Sequence, residues 1–161
     1  MNIIIFLERN KKMKTLLLSL LTFIAVAIPT WANAETISNS VVGVQGYDLV
    51  SYHDGKPLPG NGNHVANHNG VNYLFISNKN KKNFQGNPEK YLPAYGGFCA
   101  YGVAVGKKFI ADPNVWEIVD GQLYLNLDNK IKGIWSKDIS GNIKKANANW
   151  TEIKGKKPSE L

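Results

Sequence analysis

Apolar and polar residues alternate along two stretches of the chain, and a turn sequence of two residues interrupts each of them. The first stretch, HVANHNGVNYLFIS, turns at residues 69–70, and the second, VWEIVDGQLYLNL, turns at residues 120–121. The two turns read Asn-Gly and Asp-Gly, which adopt the positive φ of tight hairpin turns at little cost. The pattern therefore predicts two antiparallel β-hairpins.

The turn positions also predict which residues face one another. In the first hairpin three pairs are expected: His68 and Val71, Ala66 and Tyr73, and His64 and Phe75. In the second hairpin one face is polar, with Glu117, Gln122 and Asn126, and the other is apolar, with Trp116, Ile118, Leu123, Leu125 and Leu127. Such alternation is typical of a hairpin that is buried on one face only.

Helical patterns follow each hairpin. Ser77 or Asn78 can cap a short helix through NKNKKNFQ that ends near Gly86. From residue 131 to 150 apolar residues recur at near-helical spacing, and the sequence SGN at 140–142 indicates a break between two helices. Strand-rich hairpins followed by helices predict an α+β fold in a small single domain. No internal repeat is recognised in the sequence.

The N-terminal residues have the composition of an export signal. Three lysines precede an apolar run at 16–28, which leads to small residues at 32–34. This pattern predicts a cleavable signal peptide over 1–34, a domain over 35–154 and a polar tail over 155–161. The run is shorter than a bilayer crossing requires, so no stable membrane insertion is expected after cleavage. The predicted location is periplasmic or secreted.

The charge of the mature chain is modest. The whole chain has nineteen basic and twelve acidic residues, and removal of 1–34 leaves a net charge of +4. The only arginine, Arg9, lies in the predicted signal, so no guanidinium remains for bidentate contacts to phosphate or guanine. Nucleic acid is therefore not an expected partner.

Cys99 is the only cysteine, so an internal disulfide is excluded. It follows two glycines in YGGFCAYG, and FCAYGVAV is interpreted as a buried strand. Three roles remain open for it. Free cysteine is often a small buried hydrophobic residue, it can be a metal ligand, and it can be a nucleophilic or redox-active thiol when partly exposed near a positive charge.

The segment GYDLVSYHDGK places His53 among other polar and aromatic residues. An adjacent aspartate can orient an imidazole as a base or a metal ligand, although Asp54-Gly55 can equally form a turn. His64 and His68 lie about 13 Å apart on a regular strand, too far to share one metal ion. The residues expected to line a small-ligand pocket are Tyr47, Asp48, Tyr52 and Tyr101.

Several motifs together resemble the YHS domain family. GVNYLFISNKNKKNFQGNPEKYL has the family's aromatic strand, serine and following helix, and GYDLVSYHDGKPLPGN, YGGFCAYGVAVGKK, VDGQLYLN and ANANW resemble exported members of Gram-negative bacteria. Relatives elsewhere accompany copper-transporting ATPases and monooxygenases and often carry two cysteines that are thought to bind metal. This chain has neither of those cysteines, since Cys99 is a different one.

The resemblance implies an exported binding protein. The expected ligand is a transition-metal ion, copper first and zinc second, held by Cys99 and His53, or else a small molecule. No complete catalytic motif is present. The alternatives are a Cys-dependent enzyme or thiol redox protein, and a structural or protein-interaction module.

Overall fold

Two hairpins and the helices that follow them form the domain in a computed structural model that describes residues 41–161. The strands are β1 (Val41–Val42), β2 (Asn61–His68), β3 (Val71–Phe75), β4 (Asp112–Val119) and β5 (Gln122–Asn126). The α-helices are α1 (Leu49–His53), α2 (Asn78–Gly86), α3 (Pro88–Tyr91), α4 (Ala100–Ala104), α5 (Asn129–Trp135) and α6 (Ile139–Ile153). The predicted α+β class is confirmed. The predicted signal peptide lies outside the described residues.

The strands form two sheets. In the first the order is β1-β3-β2, with β1 parallel to β3, and the second is the β4-β5 hairpin. The pairs His68 with Val71 and Ala66 with Tyr73 are confirmed. The pairing of His64 with Phe75 is wrong, because a bulge precedes Val65 and Phe75 faces Asn61 instead. A bulge inserts unpaired residues into one strand only, which alternation of apolar residues does not reveal.

The helices begin at side-chain caps. Ser77 accepts a hydrogen bond from the Asn80 N–H and starts α2, as predicted. The two C-terminal helices are also confirmed, but the break lies between Trp135 and Ile139 rather than at residues 140–142. Asp138 caps the second of them by accepting from the Gly141 N–H. No helix within residues 41–161 is long and apolar enough to span a bilayer.

Two groups of buried side chains fill the interior. The first core contains Leu49, Tyr52, Phe75, Phe84, Tyr91, Cys99, Leu123 and Leu125. The second core contains Tyr95, Ala100, Val103, Tyr124, Trp135, Ala146 and Ile153. Strand β5 lies between them, with Leu123 and Leu125 in the first core and Tyr124 in the second. The prediction that this hairpin is buried on one face only is therefore wrong, and Asn126 on its supposed polar face is fully buried.

The backbone contains a repeat with a period of 51 residues. In residues 41–161 every residue with positive φ has a counterpart 51 positions away: Val44 and Tyr95, Gln45 and Gly96, Gly46 and Gly97, Gly55 and Gly106, Asn69 and Asp120, and Gly70 and Gly121. Left-handed backbone is uncommon outside glycine, so six matched pairs at one spacing indicate a duplicated unit. We call residues 41–91 the first repeat and residues 92–142 the second repeat.

Hydrogen bonds and caps follow the same spacing. The Asp48 N–H donates to the Leu58 carbonyl at 2.9 Å, and the Cys99 N–H donates to the Phe109 carbonyl at 2.9 Å. Further matched pairs are the caps Ser77 and Asp128, the caps Asn87 and Asp138, and the bulges after Asn61 and Asp112. The expectation of no internal repeat is wrong, because the duplication survives in turn geometry and caps more than in side-chain identity.

Two tight turns of the repeats lie against each other. The first left-handed turn (Gly43–Gly46) and the second left-handed turn (Ala94–Gly97) each contain non-glycine residues at positive φ, with φ 46° at Val44 and 56° at Tyr95. A Cβ placed on Gly97 would lie 3.7 Å from a methyl group of Val44. Left-handed backbone is strained for a β-branched residue, and such strain concentrates at functional sites.

Candidate ligand-binding cleft and the predicted site residues

Cys99 is enclosed by protein. It caps α4, where its sulfur accepts a hydrogen bond from the Gly102 N–H at 3.3 Å, and only 1% of its surface is exposed. The predicted buried strand is wrong, because Gly102 has no Cβ that would clash with the Phe109 ring and a helical turn fits there. Burial raises the pKa of the Cys99 thiol, although three backbone N–H groups oppose that shift. The thiol is therefore neutral at pH 7.

His53 lies at the end of α1 among different neighbours. Its ring meets the edge of Tyr91 with 5.1 Å between centroids, and its Nε2 atom is buried without a hydrogen-bond partner. Burial is the main cause that lowers the pKa of His53, and Lys90 lowers it further while Asp54 opposes the shift. Asp54 is an exposed C-cap residue, and no hydrogen bond joins it to His53.

The structure does not assemble a metal centre from these residues. Cys99 contacts Asn126 and Gly102, whereas His53 contacts Tyr91. Within residues 41–161 no group of three or more His, Cys, Asp or Glu side chains could hold a metal ion. The prediction of copper or zinc at Cys99 and His53 therefore gains no support from the geometry.

Asp48, expected in a ligand pocket, is a buried structural carboxylate. Its oxygens accept from the N–H groups of Val50 at 2.9 Å, Ser51 at 3.3 Å and Ile76 at 2.9 Å, and from Asn80 Nδ2 at 2.8 Å. The first two bonds cap α1, and the other two connect this cap to the residue after β3 and to α2. Its hydrogen-bonding capacity is thus used within the fold.

The three tyrosines predicted with Asp48 also make contacts within the fold. The Tyr52 hydroxyl donates to the Pro113 carbonyl at 2.8 Å, and burial raises its pKa above the ordinary value. The Tyr47 hydroxyl donates to Asn114 Oδ1 at 3.2 Å, and Tyr101 packs against both cores. None of these tyrosines lines the cleft described next.

A cleft of about 480 Å³ opens where the two left-handed turns meet. Its wall consists of Val41, Val42, Gly43, Val44, His68, Asn69, Val71, Tyr73, Glu89, Leu92, Pro93, Tyr95, Gly96 and Trp150. We call this site the central cleft. A smaller hollow of about 310 Å³ shares Val41, Val42, Val44 and Gly96 with it. Pockets that bind small molecules commonly combine an apolar wall of this kind with a few polar groups.

The polar groups of the central cleft converge from three elements. His68 Nε2, at the end of β2, lies 3.5 Å from Glu89 Oε1 on α3 and 3.1 Å from Asn69 Nδ2 in the hairpin turn. The His68 ring also meets Phe84 edge-on at 6.0 Å. Sequence reasoning missed this pair, because it considered His68 only with residues of its own hairpin, and the partner lies on a later helix. The only local indication of this site in the sequence was the Asn-Gly turn beside His68.

Trp150 closes the cleft from α6. Its ring lies 5.9 Å from Tyr95 and 6.4 Å from Phe98, and the Lys108 ammonium lies 5.2 Å from its centroid. The buried Lys108 also donates to the carbonyls of Lys154 and Lys156, which holds the end of α6 in place. The Trp150 ring is therefore held in position before any ligand binds.

Comparison of the chain with protein-family models, with curated proteins and with solved structures gave no match in any of the three.

His53 should make the free energy of unfolding depend on pH. Its pKa is lowered in the fold, whereas an unfolded histidine takes up a proton near pH 6.5. Below about pH 6.5 the unfolded state therefore binds more protons, so stability is lost as the pH falls through this window. Urea unfolding measures the free energy of unfolding at about pH 5 and about pH 7.5. The change in this free energy between the two pH values should be smaller for His53→Gln than for the wild type. An equal change in both proteins would contradict the claim that His53 makes stability depend on pH.

Proposed function

We propose that residues 41–161 are the ligand-binding domain of an exported protein of the YHS type, and that the central cleft holds a small neutral or cationic molecule. The observation that carries this proposal is the cleft itself, which combines an aromatic wall with the His68 and Glu89 side chains. Its volume of about 480 Å³ lies within the range of roughly 300–1,000 Å³ usual for small-molecule sites.

The charge of the lining supports the choice of ligand class. Among the lining residues within 41–161, Glu89 is the only fully charged one, and no lysine of that range contributes to the wall. The rest of the domain is rich in lysine, so the charge of the cleft is opposite to that of its surroundings. Aromatic rings attract cations over their faces, and Tyr73 and Tyr95 supply such rings in the lining, while Lys108 already lies over Trp150. A flat molecule that carries an amine suits this combination better than an anion does.

The absence of a thiol and of a serine hydroxyl from the described lining favours binding over catalysis. Cys99 is not among the residues that line the central cleft. His68 and Glu89 could position a ligand, but the lining supplies no thiol or serine for a covalent step. The ligand proposed for this domain is therefore a small molecule, and not a copper or zinc ion at Cys99 and His53.

Tryptamine and indole-3-acetate, two probes with the same ring and opposite charge, test this proposal. Tryptamine should shift the amide NMR signals of His68 and Gly96 and the Trp150 indole signal, while indole-3-acetate should bind more weakly. Glu89→Gln should weaken tryptamine binding about fivefold, because an exposed charge pair contributes about 1 kcal/mol. The control Glu152→Gln removes a carboxylate that does not line the cleft. If neither probe shifts these signals, or if both variants bind alike, the proposal is wrong.

A further inference from the structure

The loop that follows α4 exposes apolar side chains. In this loop, VGKKFI, the exposed fractions are 53% for Val105, 46% for Phe109 and 76% for Ile110. Val41 and Val42 are exposed as well, and they line the smaller hollow together with Ile110. Of the seven large apolar residues that are exposed within residues 41–161, these are five. We call them the apolar patch. Exposed apolar residues that cluster in this way mark interaction sites.

The first repeat shows that the fold does not require apolar residues in such a loop. Asp54, which lies 51 positions before Val105, is the C-cap of α1, as Val105 is the C-cap of α4. The glycine that follows each cap has positive φ, 73° in the first repeat and 76° in the second. At the other end of the loop, Pro59 is the counterpart of Ile110. The same backbone turn is therefore compatible with an exposed carboxylate, and the apolar side chains of the second repeat serve a purpose outside the fold.

Lysines lie in this loop and beside it. Lys107 is exposed, whereas Lys108 is buried and donates to the carbonyls of Lys154 at 2.8 Å and Lys156 at 2.6 Å. These two bonds place the segment after α6, KGKKPSEL, next to the loop, and its three lysines are exposed. The loop and this segment together contain five lysines and one acidic side chain. The apolar patch is therefore bordered by positive charge.

The hollow at the edge of the patch has an apolar lining. Its wall within residues 41–161 contains no charged side chain, and Gln45 is the only polar one there. The Gln45 amide donates to the Ala111 carbonyl at 2.9 Å, so one of its donors is already paired. A polar group that entered the hollow would lose its hydrogen bonds to water and find few new ones. The hollow therefore suits hydrocarbon better than a polar ligand.

An apolar patch bordered by lysines matches the surface of an anionic bilayer. Peripheral proteins bury apolar side chains at the boundary between head groups and acyl chains, while lysines attract anionic head groups. A standard protein interface needs about 800 Å² and about twenty residues on each partner, whereas a few apolar side chains and lysines are sufficient at a bilayer. We propose that this surface adsorbs to anionic phospholipid bilayers, with the apolar patch at the head-group boundary and the lysines against the head groups.

Vesicle sedimentation tests the lipid specificity. The chain without its predicted signal, residues 35–161, should sediment with vesicles made of equal parts of phosphatidylglycerol and phosphatidylcholine, and much less with vesicles of phosphatidylcholine alone. Raising the NaCl concentration from about 0.05 M to about 0.5 M should release the protein, because salt screens the charge of the lysines. Absence of binding to the anionic vesicles, or equal binding to both kinds of vesicle, would overturn the proposal.

Substitutions in the loop test the apolar contribution. Ile110→Ser and Val105→Asp should each weaken binding to the anionic vesicles about tenfold, because each removes an apolar side chain from the boundary. Val105→Asp should melt like the wild type, since the first repeat has Asp54 at this position. The control Ile76→Ser removes an exposed apolar residue outside the patch and should bind like the wild type. If the loop variants bind as well as this control, the proposal is wrong.

A pair of double variants tests the lysines. Lys156→Gln combined with Lys157→Gln should weaken binding about tenfold, whereas Lys79→Gln combined with Lys82→Gln, an equal loss of charge on α2, should have a smaller effect. Equal losses would show a general attraction of a basic protein and contradict the assigned surface. Sedimentation velocity without vesicles should show a monomer. A dimer that Val105→Asp dissociates would show that a second copy covers the patch, which would also exclude the proposal.

Discussion

Asp48→Ala should lower the free energy of unfolding by about 3–5 kcal/mol, the largest loss expected from a single substitution in this domain. The change leaves four donors without an acceptor: the N–H groups of Val50, Ser51 and Ile76, and the amide of Asn80. Each buried donor without a partner costs about 1–3 kcal/mol, less where local rearrangement restores a bond.

The control for this experiment is Asp54→Ala. Asp54 is exposed and is the C-cap of the same helix α1, so the substitution removes the same carboxylate without stranding a buried donor. Guanidinium titrations of both variants, extrapolated linearly to water, measure the difference. A loss below about 1 kcal/mol for Asp48→Ala would show that the carboxylate does not organise these three elements.

Gly60→Ala should be the second severe substitution, with a loss of about 3 kcal/mol. A Cβ at this position would lie within 2.4 Å of the Leu74 carbonyl group and 2.6 Å of the Phe75 nitrogen. These are backbone atoms of β3, so they cannot move aside as the end of a flexible side chain can. The strand pair must separate there, at the same place where the Gly60 N–H donates to the Gly46 carbonyl at 2.8 Å.

Gly62→Ala provides the matched comparison. It lies two residues further on, and a Cβ there would meet no atom within 4 Å. Its effect should be within about 0.5 kcal/mol of zero, since alanine also restricts the unfolded chain. Thermal melting of the two variants distinguishes the effect of the close backbone contact at Gly60 from the general effect of replacing a glycine. Equal melting temperatures would contradict the close approach at Gly60.

Local chemistry made the hairpins and helix starts predictable. Asn-Gly and Asp-Gly fix the turns through their own backbone preference, and Ser77 caps α2 through its own hydroxyl. These signals depend on neighbours in sequence, so one sequence is sufficient. The displaced pairing of Phe75 was not predictable in this way, because it depends on the approach of Gly60 to β3 across the sheet.

Most of the candidate site could not be predicted from the sequence. The wall of the central cleft combines β2, α3, the two left-handed turns and α6, and only the fold brings His68, Glu89 and Trp150 together. The burial of Cys99 agrees with one of the three roles considered for it. Its thiol donates to Asn126 at the end of β5, and no spacing pattern in the sequence indicates that these two residues are neighbours.

The two cores have a consequence for the order in which the chain folds. The first core includes Cys99, Ala111, Leu123 and Leu125 from the second repeat, whereas the buried members of the second core all follow residue 94. The first repeat leaves the ribosome earlier, yet it cannot complete its core until β5 has been made. The half that is synthesised later therefore supplies the surface on which the earlier half folds.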